Sequence, residues 1–156
     1  MSHPSPFRIV PLFVLLLGLL VLAWAAFAGG GKASTPRMFE EGLTFEQASE
    51  RSFNEGKPVF AVFSATWCGP CQAFKKGALS DSRVEKFVKD NFIPAYVDVD
   101  EQKSAARMFK VSSIPAIAVI KGTERVRGAI GLMNADELIR FLEEAQKDAK
   151  AKKPGA

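Results

Sequence analysis

Two cysteines, Cys68 and Cys71, are the only thiols in 156 residues, and they sit two residues apart in Trp67-Cys68-Gly69-Pro70-Cys71. The segment follows the apolar run Val59-Phe60-Ala61-Val62-Phe63 and opens a helix-like stretch from Gln72 to Leu79. Thiols at this spacing can close a small disulfide ring, and a helix N-terminus behind the first sulfur stabilises its thiolate. Thiol–disulfide exchange is the chemistry such a pair can do. Lowering a cysteine pKa from about 8.5 to about 7 raises the neutral-pH thiolate fraction about fifteenfold, whereas nucleophilicity falls about fivefold. The larger gain is in the leaving group, because a stabilised thiolate departs readily and lets electrons pass in both directions.

Two other uses of a C-x-x-C pair explain less. Structural zinc wants four Cys or His ligands, and this chain offers two cysteines and one remote histidine, His3, so no metal is expected. A purely structural disulfide across so short a loop removes little entropy from the unfolded chain.

The elements that must position the pair follow from hydrophobic spacing. Val59 to Phe63 has strand length and no polar residue, as in a central strand buried on both faces. Upstream, Met38 to Leu43 reads as a short first strand. Thr44 with Gln47 reads as a capping box opening a helix whose inner face is Phe45, Ala48 and Ser52 or Phe53. Downstream, Asp81 or Ser82 starts a helix with Val84, Phe87 and Val88 inward, and Phe92 to Val99 is a second strand, parallel to the first through a right-handed crossover. A short helix from Lys103 to Phe109 follows. Ala116 to Ile120 and Arg125 to Ile130 then form an antiparallel hairpin around Lys121-Gly122-Thr123-Glu124. Asn134 with Glu137 resembles a second capping box, before a stripe of Leu138, Phe141, Leu142 and Ala145. The fold class is α/β, a mixed four-strand sheet flanked by helices on both faces.

Three segments together resemble the thioredoxin family: Phe63-Ser64-Ala65-Thr66-Trp67-Cys68-Gly69-Pro70-Cys71, the strand end Asp98-Val99-Asp100, and Ile114-Pro115. The resemblance runs from about Thr44 to about Gln146. Ala78 to Val84 and Tyr96 to Asp100 resemble its exported, often membrane-attached branch. It implies the thioredoxin fold, Cys68 as attacking and Cys71 as resolving cysteine of a redox disulfide, and a cis-proline at Pro115 facing the pair. It also implies that Trp67, Gly69 and Pro70 shape the site and that the backbone of Ile114 receives an extended peptide, although Trp67 and Ile114 also suit plain core packing. No cofactor beyond the cysteine pair is implied. Two positions depart from the family. The buried carboxylate usual six residues before the first cysteine is Val62, and the lysine often near it is Tyr96.

Outside that domain the chain changes character. Ile9 to Ala28 is twenty residues without a charge, about 30 Å as a helix and so able to cross a bilayer. The competing reading is a cleaved signal peptide, for which Ala26-Phe27-Ala28 supplies an A-x-A pattern; the apolar length favours a retained anchor. The expected organisation is an anchor or signal over 1–28, a Gly-rich linker over 29–37, the thioredoxin-like domain over 38–147 and a basic tail over 148–156. Either N-terminal reading places the domain in the periplasm or at the cell exterior, membrane-anchored or secreted after cleavage. Residues 40–146 carry 14 Lys and Arg against 16 Asp and Glu, so no basic face offers itself to nucleic acid. Expected partners are protein thiols and disulfides, an electron donor or acceptor that could itself be a membrane protein, and the membrane through residues 9–28. A reading from a different class is a tethered binding or assembly module that keeps the fold and turns over little; the intact Cys pair favours the oxidoreductase, and Val62 leaves room for the module.

Overall fold

Residue 34 to residue 152 are described by the computed structural model. The N-terminal apolar segment and the end of the basic tail lie outside these residues. Within them, β1 (Val59–Ser64) is buried at every position, as its unbroken apolar run requires. It pairs parallel to β2 (Ile93–Asp98) and antiparallel to β3 (Ala116–Lys121), which pairs antiparallel to β4 (Glu124–Ile130). The order is β2-β1-β3-β4, a mixed four-strand sheet with β1 and β3 inside.

Alternation along the strands divides the core into two layers. Val59, Ala61 and Phe63 of β1, with Ile93, Ala95 and Val97 of β2, face α1 (Phe45–Glu55) and the Phe109 end of α4 (Lys103–Met108). Phe60 and Val62 face the opposite layer, built from α2 (Gly69–Lys76), α3 (Ser82–Asn91) and α5 (Ala135–Ala151) through Phe74, Val84, Val88, Leu138 and Leu142. Each fully buried Val or Leu here stabilises the fold by about 1.5–3 kcal/mol.

Both capping boxes form. Thr44 Oγ1 accepts from Gln47 N at 3.2 Å and Asn134 Oδ1 from Glu137 N at 3.0 Å, with the reciprocal side-chain bonds in place. On α1 it is Ser52 that turns inward, its hydroxyl donating to Lys57 O at 2.5 Å, while Phe53 is 87% exposed. Residues 38–43 are not a strand. They form turns in which Gly42 takes φ 76°, a conformation that breaks an extended run, while Met38 and Phe39 still bury their side chains against the α2–α5 layer. The helix expected from Gln72 to Leu79 begins earlier and ends sooner: α2 starts at Gly69, stops at Gly77, and a 3-10 turn (Ala78–Ser80) links it to α3, capped by Asp81. Gly122, at φ 63°, makes the two-residue β3–β4 turn, and an extra residue near Val126 shifts the register. Residues 148–151, assigned from sequence to the basic tail, are the last turn of α5; Asp148 accepts from Arg127 Nη2 at 2.7 Å and Ala149 is buried.

Candidate active site

Ser64 ends β1, and the chain turns through Ala65, Thr66 and Trp67 into α2. Cys68 is the N-cap of that helix: its N–H donates to Ala65 O (3.2 Å), its carbonyl accepts from Gln72 N (3.1 Å), and its Sγ accepts from Cys71 N (3.2 Å). Pro70 costs the helix nothing in this first turn, where its missing N–H has no partner to lose. The first sulfur therefore sits where free helix amides and the positive end of the dipole converge, the arrangement that stabilises a thiolate. Cys68 and Cys71 are joined in a disulfide of 2.05 Å and are 4% and 2% exposed. Ala65, Val99 and Ile114 wall them.

The Ile114–Pro115 peptide is cis, as the resemblance implies. Pro115 is buried, and its carbonyl accepts from Gly131 N at 2.8 Å, which ties the approach to β3 to the exit from β4. Ile114 packs on the cysteines and is partly exposed. Trp67, which also suited the core, instead stands 70% exposed, and its indole Nε1 donates to Asp100 Oδ2 at 2.7 Å. With exposed Gly69 and Pro70 it forms a solvent-facing rim beside the buried sulfurs. All seven residues singled out from the sequence (Trp67, Cys68, Gly69, Pro70, Cys71, Ile114 and Pro115) thus belong to one neighbourhood or to the segments that frame it.

Asp100, which the sequence marks only as the end of a strand motif, is the anchor of the indole. A polar cluster beneath α2 was missed as well. Ser64 and Tyr96 lie on neighbouring strands on the α2 side of the sheet, and the Tyr96 phenol donates to Ser64 Oγ at 2.6 Å. Lys75, one turn after Cys71, is only 8% exposed and sets its ammonium 4.6 Å from the centre of the Tyr96 ring. Burial lowers the Lys75 pKa, with the nearby Asp98 carboxylate pulling the other way. Burial likewise raises that of Tyr96, against the lowering effect of its bond to Ser64, while Asp98 adds to the rise. Val62 is 1% exposed and lies beside Tyr96 in the parallel register. The spacing of Cys71 and Lys75, i and i+4 on one helix, was the available signal.

Residues 45–146 match the thioredoxin-like domain family. The chain is 34% identical over 111 residues to thioredoxin H2-2 of Oryza sativa subsp. japonica, covering 71% of this chain and 79% of that one. It is 32% identical over 114 residues to the chloroplastic thioredoxin Y1 of Arabidopsis thaliana, covering 72% of this chain and 64% of the relative. Among solved structures, a thioredoxin from Thermus thermophilus superimposes with a TM-score of 0.57 at 25% identity, over 67% of this chain and 83% of that one. A four-strand mixed sheet that presents a C-x-x-C pair at a helix N-terminus beside a cis-proline defines a thioredoxin-like protein, and the chain belongs to the thioredoxin family.

Proposed function

We propose that the protein is a thiol–disulfide oxidoreductase that exchanges disulfides with protein substrates, with Cys68 as nucleophile and Cys71 as resolving thiol. The observation that carries this reading is Cys68 at the N-cap of α2, its sulfur accepting the Cys71 amide and bonded to the Cys71 sulfur, under a rim made by exposed Trp67. In the reducing direction the Cys68 thiolate attacks a client disulfide, forming one S–S bond and releasing one client thiolate, which takes up a proton. Cys71 then loses its proton and attacks Cys68, closing the internal disulfide and freeing the second client thiol. Two electrons pass to the client and the two protein thiols are oxidised. The reverse sequence oxidises a client dithiol. The Trp67 rim and the Ile114-Pro115 segment are the surface on which an extended client strand rests.

The finer reading is a membrane-tethered enzyme working outside the cytoplasm, anchored through residues 9–28 and served by an electron donor or acceptor. Its support is the twenty uncharged residues from Ile9 to Ala28 and the absence of any cysteine beyond the working pair, which prevents mispairing in an oxidising compartment. No helix among the described residues is long and apolar enough to cross a membrane. A retained anchor keeps the protein with membranes through a carbonate wash and keeps Ile9 to Ala28 in its intact mass. A mature protein beginning at Gly29 in the soluble exported fraction shows a cleaved signal instead.

Trapping tests the assignment of roles. Cys71→Ser should accumulate covalent client complexes that disappear under reductant, and Cys68→Ser should not. Equal trapping by both would overturn the roles, and trapping by neither would favour a binding or assembly module.

A further inference from the structure

The resolving step sets a physical problem. Cys71 is buried against Ala65, Val99 and Ile114, and a thiol in such a place resists ionisation. The position two residues before Ser64 on β1, which faces the α2 layer, carries Val62, a side chain that can neither take a proton nor hold a charge.

One charged side chain is nevertheless buried in that layer. Lys75 follows Cys71 by four residues on α2, so the two share a helix face with Cβ atoms about 5–6 Å apart. Side chains on a helix lean toward its N-terminus, the direction in which the Cys71 turn lies from Lys75. The ammonium rests over the ring of Tyr96, and that ring is fixed by its phenol bond to Ser64, the last residue of the strand that leads to Cys68. Asp98, paired with Ser64 in the parallel register, is the carboxylate acting on the ammonium from β2; Tyr96 faces it from the same strand, and Cys71 lies on its own helix.

We propose that Lys75 is a positioning residue for resolution: its ammonium, held over Tyr96 on the helix that carries Cys71, supplies the positive charge that favours the Cys71 thiolate where β1 offers only Val62. The inference rests on the exchange chemistry proposed above. In the step it assists, the Cys71 proton leaves to water or to the departing client thiolate, the Cys71–Cys68 bond forms and the Cys68–client bond breaks. Lys75 keeps its own proton throughout. A unit charge about 6–10 Å from a thiol, in surroundings of effective dielectric about 20, moves its ionisation by about one to two pH units.

The test uses the full chain, wild type and Lys75→Met, reduced and then treated in mild acid with dithiobis(nitrobenzoate), whose disulfide exchanges with Cys68 to leave one thionitrobenzoate on that sulfur and release the other. Loading itself tests the exchange reading, since it needs only a reactive Cys68. Release of thionitrobenzoate after a jump in pH reports attack by Cys71. Both proteins are expected to load alike. The pH midpoint of release in Lys75→Met should lie about one unit or more higher, with release about tenfold slower at neutral pH and rates that converge in alkali. Lys75→Arg, which keeps the charge, should retain the wild-type midpoint. Superimposable profiles, a uniform slowing with no shift in midpoint, or an Arg variant shifted as far as Met would each overturn the proposal. So would a Met variant that fails to fold, because the ammonium would then be serving the structure.

Discussion

Val62→Asp restores a carboxyl to the α2 side of β1 and sets chemistry against stability. Val62 is 1% exposed, between Tyr96 of β2 and Ile117 of β3 in the sheet. Removing its apolar side chain forfeits about 1.5–3 kcal/mol of burial. Placing a carboxyl there costs about 1–3 kcal/mol more by the measure of protein substitutions. The expected loss is therefore about 2.5–6 kcal/mol, or about 10–25 °C in Tm for a domain of this size, which a fold above the low end of the ordinary range of about 5–15 kcal/mol survives. Burial holds the new carboxyl neutral to a higher pH than in the unfolded chain. Its folded pKa is thus raised, so the stability linked to the neutral form is full in acid and lost as pH rises through that value; the deficit should be smallest in acid and largest above neutrality. Resolution should respond in the opposite sense. With valine, the Cys71 proton must reach water or the client, so release of a mixed disulfide from Cys68 should be slow at neutral pH and quicken as pH rises. With aspartate, the fraction of the carboxyl that is ionised near pH 7 can accept the proton and should speed release by about tenfold, below the roughly hundredfold or more of a fully ionised general base. The assay is the pH dependence of mixed-disulfide release in both proteins, beside thermal unfolding across the same pH range. Equal release rates throughout would refute the reasoning, because some other group would already be taking the proton.

Tyr96→Phe keeps the ring under Lys75 but strips the partner from Ser64 Oγ, which is 1% exposed, so denaturant unfolding should show a loss of about 1–3 kcal/mol. An unchanged midpoint would mean that Ser64 finds another partner. Asp100→Ala releases the Trp67 indole from its 2.7 Å bond, so KM for peptide disulfides should rise while kcat holds; a fall in kcat alone would place Asp100 in the chemistry instead. Hydrogen bonds from Arg83, first from its side chain and then from its backbone N–H, hold the Asp81 carboxyl below its usual range. Its contribution to stability is present above the unfolded pKa and is lost as pH falls through the lower folded value, so Asp81→Asn should flatten the acid limb of the stability profile; an identical limb would show that other carboxylates set it.

Where local rules and burial agreed, the fold was legible in the sequence. The run Val59 to Phe63 could only be an interior strand, the two capping boxes announced α1 and α5, and Gly122 marked the hairpin. Ambiguity lay where a decision belonged to tertiary packing. Ser52 and Phe53 suited the inner face of α1 equally by period, and the hydroxyl took it because Lys57 O lies within reach. Met38 and Phe39 bury themselves as an apolar strand would, yet from turns, because Gly42 ends the extended run. The site divides in the same way. Cys68, Cys71 and Pro115 announce themselves by type and spacing. Lys75 does not: a lysine in the last turn of a short helix reads as a solvated cation suited to the dipole, and its place over the aromatic ring of Tyr96, on a strand twenty-one residues later, is set by tertiary packing. Asp100 is hidden likewise, since its partner Trp67 lies 33 residues away in sequence.

The most direct test of the central claim is the stoichiometry of electron transfer by the cysteine pair. Reduced full-length protein is mixed with excess peptide disulfide, quenched in acid and weighed intact, with both thiols mapped. The account predicts that each protein molecule loses the mass of two hydrogens and gains the Cys68–Cys71 disulfide while one peptide disulfide is opened, and that Cys68→Ser leaves the peptide untouched. A protein that keeps both thiols free beside intact peptide, from mildly acidic to alkaline pH, would contradict it.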